Sequence, residues 1–185
     1  AQPLAIRWNL RKFASAMIPL CGLADAQAAV EEFDKIYEDA YRRIFARKLG
    51  LSKLDDNGKQ LVDDLFAIME ESKVDFTNTW RALSQVRKTS APAEMEAIYA
   101  RLIDGKVSAN ADQWGAWMNR YLAIIVADEA LDEVERVKRM NKANPVYILR
   151  NYMAQEAIDE ANQGNSSYLQ NLYRILRNPY EEQIG

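Results

Sequence analysis

Proline and glycine in this chain fall almost entirely between segments of helical period, and that placement points to an all-α fold. Pro19 and Gly22, Gly50, Gly58, Pro92, Gly105, Pro145, Gly164 and Pro179 each stand at the edge of a periodic run, and Gly115 interrupts one. Proline lacks an N–H and fixes φ, and glycine tolerates the left-handed turn that ends a helix. No stretch alternates apolar and polar residues like a half-buried strand. Asn57-Gly58 precedes a helical pattern rather than joining two strands.

The periodicity predicts an irregular bundle of about nine helices with no significant sheet. The first runs from Leu4 to Ile18 and presents Ile6, Leu10, Phe13 and Met17. The second, Asp25 to Leu49, carries a stripe of Val30, Phe33, Tyr37, Tyr41 and Ile44 and ends at Gly50. The third begins near Asn57 with Leu61, Leu65, Ile68 and Met69. The short fourth is capped by Asp75 and faces Phe76, Trp80 and Leu83 inward. A polar connector, 87–91, leads to a fifth helix after Pro92 with Met95, Ile98, Tyr99 and Leu102. The sixth starts after Ser108 or Asn110 and shows Trp114, Trp117, Tyr121 and Ile125. The seventh spans Asp128 to Asn141, the eighth Pro145 to Ala161, the ninth Ser167 to Leu176. In the eighth, Pro145 opens the helix and Asn144 supplies the N-cap. No repeat, low-complexity tract or linker divides the chain, so residues 1–185 read as a single helical domain.

Composition removes several functions. There is no histidine, which excludes a Ser-His-Asp triad and a His-ligated metal. The single cysteine, Cys21, allows no internal disulfide and no Cys zinc site. Lys+Arg 24 against Asp+Glu 27 gives a net charge of -3, with no basic footprint for nucleic acid. No segment reaches the ~18 consecutive apolar residues of a membrane span, and Arg7, Arg11 and Lys12 break any signal-peptide pattern at the start.

Most suggestive clusters have a plainer reading. Asp55-Asp56-Asn57 with Asp63-Asp64 lacks the alternating ligands of a calcium loop, because Lys59 occupies a ligand position; a solvated helix start explains it better. Glu31-Glu32 and Glu70-Glu71 are adjacent, so they point about 100° apart on a helix and form no acid–base couple. Arg136, Lys138, Arg139 and Lys142 follow five acids, the order a helix dipole favours; Arg42, Arg43, Arg47 and Lys48 fit the same account. Trp114, Trp117 and Tyr121 at helical spacing read as core, and Cys21 as a buried structural thiol or a bystander. No G-x-G-x-x-G and no G-x-x-x-x-G-K is present to cradle phosphates. The residues themselves therefore nominate no catalytic, cofactor-binding or metal-ligating group. Arg81, and Arg150 with Asn151 beside the Leu149–Ile158 stripe, are multivalent donors that call for fixed polar partners.

Four ordered blocks resemble the selenoprotein O family. Gln2-Pro3 followed by Trp8-Asn9-Leu10 matches its first segment, with Ala1 where the family has Asn. Asp75-Phe76-Thr77-Asn78-Thr79-Trp80-Arg81-Ala82-Leu83 matches the second. Asn144-Pro145, Leu149-Arg150-Asn151-Tyr152, Gln155, Ile158, Ala161 and Gly164 make the third, and Leu176-Arg177-Asn178-Pro179-Tyr180 the fourth. The resemblance implies a C-terminal helical fragment of a larger protein with a kinase-like fold, a pseudokinase that moves AMP from ATP to Ser, Thr or Tyr of proteins. It implies ATP and Mg or Mn as that larger protein's requirements, and no cofactor in this fragment. It places the catalytic residues upstream of Gln2 and a terminal cysteine or selenocysteine downstream of Gly185.

On that resemblance the fragment's partners are the upstream catalytic domain and the larger protein's substrates, with no nucleic acid and no membrane. Its location is cytoplasmic in a bacterium and mitochondrial in a eukaryote. Trp8, Asn9, Arg81, Asn144, Arg150 and Asn151 become candidate interdomain or structural residues. The fragment itself is expected to be inactive. The competing reading is an independent helical interaction module with no enzymatic role, which would accept a partner helix in a groove.

Overall fold

The computed structural model describes residues 2–102 and 111–183, and among these every regular element is a helix. The helices are α1 (Gln2–Cys21), α2 (Leu23–Leu49), α3 (Asp56–Ser72), α4 (Phe76–Leu83), α5 (Pro92–Leu102), α6 (Ala111–Ala127), α7 (Glu133–Ala143), α8 (Asn151–Asn162) and α9 (Ser167–Leu176). The chain forms two compact units, one ending at Ile44 and one beginning at Phe45, with α2 running through the boundary. Gly105, Ser108 and Asn110 lie outside the described residues.

The first unit is a helical hairpin. Pro19 does not end α1 as the sequence suggested. It sits in the last turn, where a missing N–H removes one bond, and the helix continues to Cys21. Gly22, at φ +82, makes the reversal, and its N–H donates to Ile18 O at 2.8 Å. The Arg7 guanidinium meets Asp34 at 2.5 Å across the hairpin. Ala26 is buried, but Leu4, Ile6, Trp8, Phe13, Leu20, Ile36, Tyr37 and Ile44 are exposed. The stripe positions Ile6, Phe13, Tyr37 and Ile44 are thus not core within this unit. Cys21 is also exposed, its thiol donating to Met17 O at 3.3 Å, so the buried-thiol reading is corrected.

The second unit is built on α3 against α6, with α5 against α6 and α4 against α5. Leu61, Val62, Leu65, Ile68 and Met69 of α3 and Trp114, Trp117, Met118, Tyr121 and Ile125 of α6 are buried. The aromatic stripe of α6 is core, and its polar handles are used inside it. Trp117 Nε1 donates to Leu61 O at 2.8 Å, Trp114 Nε1 to Ser72 Oγ at 3.0 Å, and Tyr121 OH to Leu49 O at 2.9 Å.

The starts of α3, α4 and α7 are capped by aspartates. Asp55, Asp75 and Asp132 each accept the N–H three residues on. The α7 start differs from the expected Asp128. Asp128 is taken by a loop: its carboxylate accepts Ser52 N–H at 2.6 Å, and its carbonyl accepts Lys88 Nζ at 2.6 Å. Helix geometry resumes only after Asp132. In α4, Trp80 and Leu83 face inward as expected, whereas Phe76 is exposed at the first position of the helix.

Gly50 marks where the end of α2 meets α7. Its φ is +68, and a Cβ there would stand 2.7 Å from Arg136 Cγ and 2.7 Å from Met140 Sδ. Both neighbours are buried. Gly50→Ala is therefore expected to destabilise the protein by about 1–2 kcal/mol from the left-handed backbone alone, and further from the clash, measured as the urea midpoint.

Candidate functional site

Two of the polar residues singled out by sequence, Asn144 and Arg81, meet where the ends of α2, α4 and α7 approach the C-terminal segment. Asn144 is the centre. It is 0% exposed. Its Nδ2 donates to Lys48 O at 2.9 Å, and its Oδ1 accepts Lys48 Nζ at 3.1 Å. Lys48 Nζ also donates to Ala143 O at 3.4 Å and lies 5.3 Å from the Trp80 ring centroid. Burial pushes the Lys48 ammonium below its ordinary value.

Asn144 is thus the C-cap of α7 and not the N-cap of α8. Its backbone is extended (φ -119, ψ 105), as the residue before a proline prefers, and its N–H closes on Met140 O. Pro145 does not open α8 either. Val146 and Tyr147 N–H both donate to Pro179 O, at 2.7 and 3.1 Å, which holds this stretch out of helix until Asn151. That pair of bonds joins the Asn144-Pro145 block to the Leu176–Tyr180 block. Tyr147 OH adds a tie, accepting Gln183 N–H at 3.2 Å.

Arg81 reaches the same junction from α4. It donates to Asn141 O at 3.4 Å and Asn144 O at 3.5 Å, and its other nitrogen approaches Glu182 at 3.4 Å. Arg150 pairs with Asp75 at 2.6 Å. Asp75 therefore serves twice, as the α4 cap and as the partner of Arg150. Burial works to raise its carboxyl, but the Asn78 N–H and the Arg150 guanidinium outweigh that and hold it below the usual carboxylate value. Asn151 is exposed at the start of α8. Trp8 and Asn9 belong to the other unit. Both are exposed, with Lys12 Nζ 5.4 Å from the Trp8 ring centroid.

Sequence reading missed a second polar cluster. Arg136, read there as one of several dipole-compensating cations on a surface, is 1% exposed. Its guanidinium donates to Val86 O, to Tyr121 OH at 3.2 Å and to Glu133 at 2.7 Å. Only the side chain's position on α7, one turn before Met140 and facing Tyr121, separates it from Arg139 and Lys142. The charge pattern is the same for all three. Burial pushes the Tyr121 phenol up to about 12, with the Arg136 charge opposing.

The side chains named above find their partners within the chain. Among the described residues no three His, Cys, Asp or Glu side chains gather to hold a metal ion. Asp64 is engaged by Arg120 at 2.6 Å and by Gln60 at 2.8 Å. No transfer step is assigned to these residues.

Two measurements check the clusters. Asn144→Ala removes the donor to a buried carbonyl and the acceptor of Lys48, and is expected to cost about 1–3 kcal/mol by chemical denaturation. Tyr121 binds its proton more tightly in the folded protein than in the unfolded chain. Its contribution is fully present below pH about 10 and falls as pH rises towards about 12. Wild-type stability should accordingly fall more steeply across that window than that of Tyr121→Phe.

Comparison with known proteins places the chain in a family. The sequence model of the family described as "Protein adenylyltransferase SelO" matches residues 1–177. A relative named "Protein nucleotidyltransferase YdiU" from Xanthomonas campestris pv. campestris (strain B100) is 41% identical over 185 residues, covering 98% of this chain and 35% of the relative. Relatives of the same name from Xanthomonas oryzae pv. oryzae (strain MAFF 311018) and Xanthomonas euvesicatoria pv. vesicatoria (strain 85-10) are each 40% identical, covering 100% of this chain and 35% of the relative. The chain spans about a third of the length of these curated relatives.

Proposed function

This chain belongs to the protein adenylyltransferase SelO family, and from that premise we propose that it is the helical region bracing the nucleotide-transferring core of a longer protein. The longer protein moves AMP from ATP, with Mg or Mn, onto Ser, Thr or Tyr hydroxyls of other proteins. The relatives, named protein nucleotidyltransferases and about three times this length, support that activity. The catalytic groups, on this reading, lie in the part of the polypeptide outside these 185 residues, and the brace itself transfers nothing.

One observation carries the structural role. Asn144, Arg81 and Arg150, the side chains best equipped to hold a ligand, are engaged with Lys48, with the Asn141 and Asn144 carbonyls, and with Asp75. Polar groups consumed in this way fix the register of the helix ends. The exposed apolar side chains around Trp8 in the first unit fit a brace better than a free-standing module, which has no reason to leave a hairpin's large apolar residues in water.

The test is a transfer assay. The 185-residue chain and the longer gene product are each incubated with α-labelled ATP, Mg or Mn and a generic protein acceptor. Label should pass to protein only with the longer product. Transfer by the 185-residue chain alone, or by neither, overturns the proposal.

A further inference from the structure

Helices α8 and α9 pair to form an apolar groove of about 340 Å³, lined among others by Leu149, Ala157, Ile158, Leu169, Leu172 and Tyr173. Ala157 is the buried residue of α8 and Leu172 that of α9. Leu149, Tyr152, Ile158, Leu169 and Tyr173 remain exposed. Helices of 12 and 10 residues are too short to be stable alone, and a pair that buries so little gains little against its ordering entropy. Arg150 ties the start of the pair to Asp75, and the Val146 and Tyr147 N–H groups bond Pro179 O, which brings the segments before α8 and after α9 together. The apolar face of the pair is left exposed.

We infer that this groove is filled by an amphipathic helix of the same longer polypeptide, drawn from the part outside these 185 residues. The inference rests on the reading above that the chain is a region of a longer transferase. The lining contains no charged side chain, so it suits apolar side chains and not a nucleotide or a phosphorylated peptide. The space between two packed helices is the shape that the i, i+3, i+4 ridge of a third helix enters. The relatives supply the length, since the matched region is 35% of each. A second copy of this chain is the poorer occupant: a concave face brought against its own copy by a two-fold axis meets another concavity.

The test reads accessibility of the groove. With Cys21 and every cysteine or selenocysteine of the longer gene product replaced by Ser, Ile158→Cys and Leu169→Cys are prepared separately in the 185-residue chain and in that longer product. The rate of modification by a soluble thiol reagent is then measured at several protein concentrations. Both thiols should react freely in the 185-residue chain and at least tenfold more slowly in the longer product, independent of concentration. Amide hydrogen exchange on the unsubstituted proteins gives the same comparison without a substitution. The α8 and α9 amides should exchange at least tenfold more slowly in the longer product.

Equal rates in the two proteins overturn the inference. So does protection within the 185-residue chain that grows with concentration, which would mark a second copy. Protection that requires a separately added protein, or a gene product with nothing beyond these residues, overturns it as well. Nucleotide transfer is assayed on the same longer product. Protection without transfer removes the proposed activity and leaves the groove assignment standing; transfer without protection removes the groove assignment alone.

Discussion

A single buried amide links distant segments of the second unit. Asn144 exchanges hydrogen bonds with both the backbone and the side chain of Lys48, 96 residues earlier in the chain. Those bonds join the end of α2 to the end of α7 and leave the Asn144 side chain unavailable for capping α8. Once the side chain is committed, Pro145 follows an extended residue, the chain runs without helix to Arg150, and the free N–H groups of Val146 and Tyr147 find Pro179 O. The C-terminal segment is thereby brought back to the junction, where Arg81 meets Glu182 and Arg150 meets Asp75. Remove the Asn144 amide and each later step loses the anchor that positions it.

The interior of the same unit also holds a buried cation. Arg136 is enclosed by Tyr121, Val86 and Glu133, and Tyr121 in turn caps Leu49 O at the end of α2. A charge is stable there because its donors are directed at fixed acceptors, one of them an anion that is still partly hydrated. Gly50 exists at this point for the same reason: any side chain would occupy the space of the Arg136 stem. The two polar clusters act on the two ends of one short run, Lys48 to Gly50, so the end of α2 is held from both sides.

The fold class was legible because all-α punctuation is a local signal. Proline, glycine and capping residues act within a few residues, and Asp75 caps α4 as expected, whereas α7 opens at Asp132 and not at the expected Asp128. The α6 stripe was legible because burial on one face leaves a period in the sequence. What was not legible depends on distant partners. Pro145 carries the local signature of a helix start, and only the arrival of Pro179 O shows that it is not one. Arg136 shares its charge context with Lys138 and Arg139, and only tertiary packing buries the first and leaves the others on the surface. Phe13 and Tyr37 fit an amphipathic stripe, but a stripe does not state whether its cover lies within the same unit. The family blocks singled out Arg81, Asn144 and Arg150 among other residues, without revealing that these three bond within the chain.

The proposed role gives the polar side chains of these blocks to the fold, with nucleotide binding left to the rest of the longer protein. Titration of the 185-residue chain with Mg–ATP and Mn–ATP, followed by calorimetry and by Tm, tests it most directly. The account predicts no binding heat and an unchanged Tm. A saturable rise in Tm that Arg81→Met or Arg150→Met abolishes would contradict it.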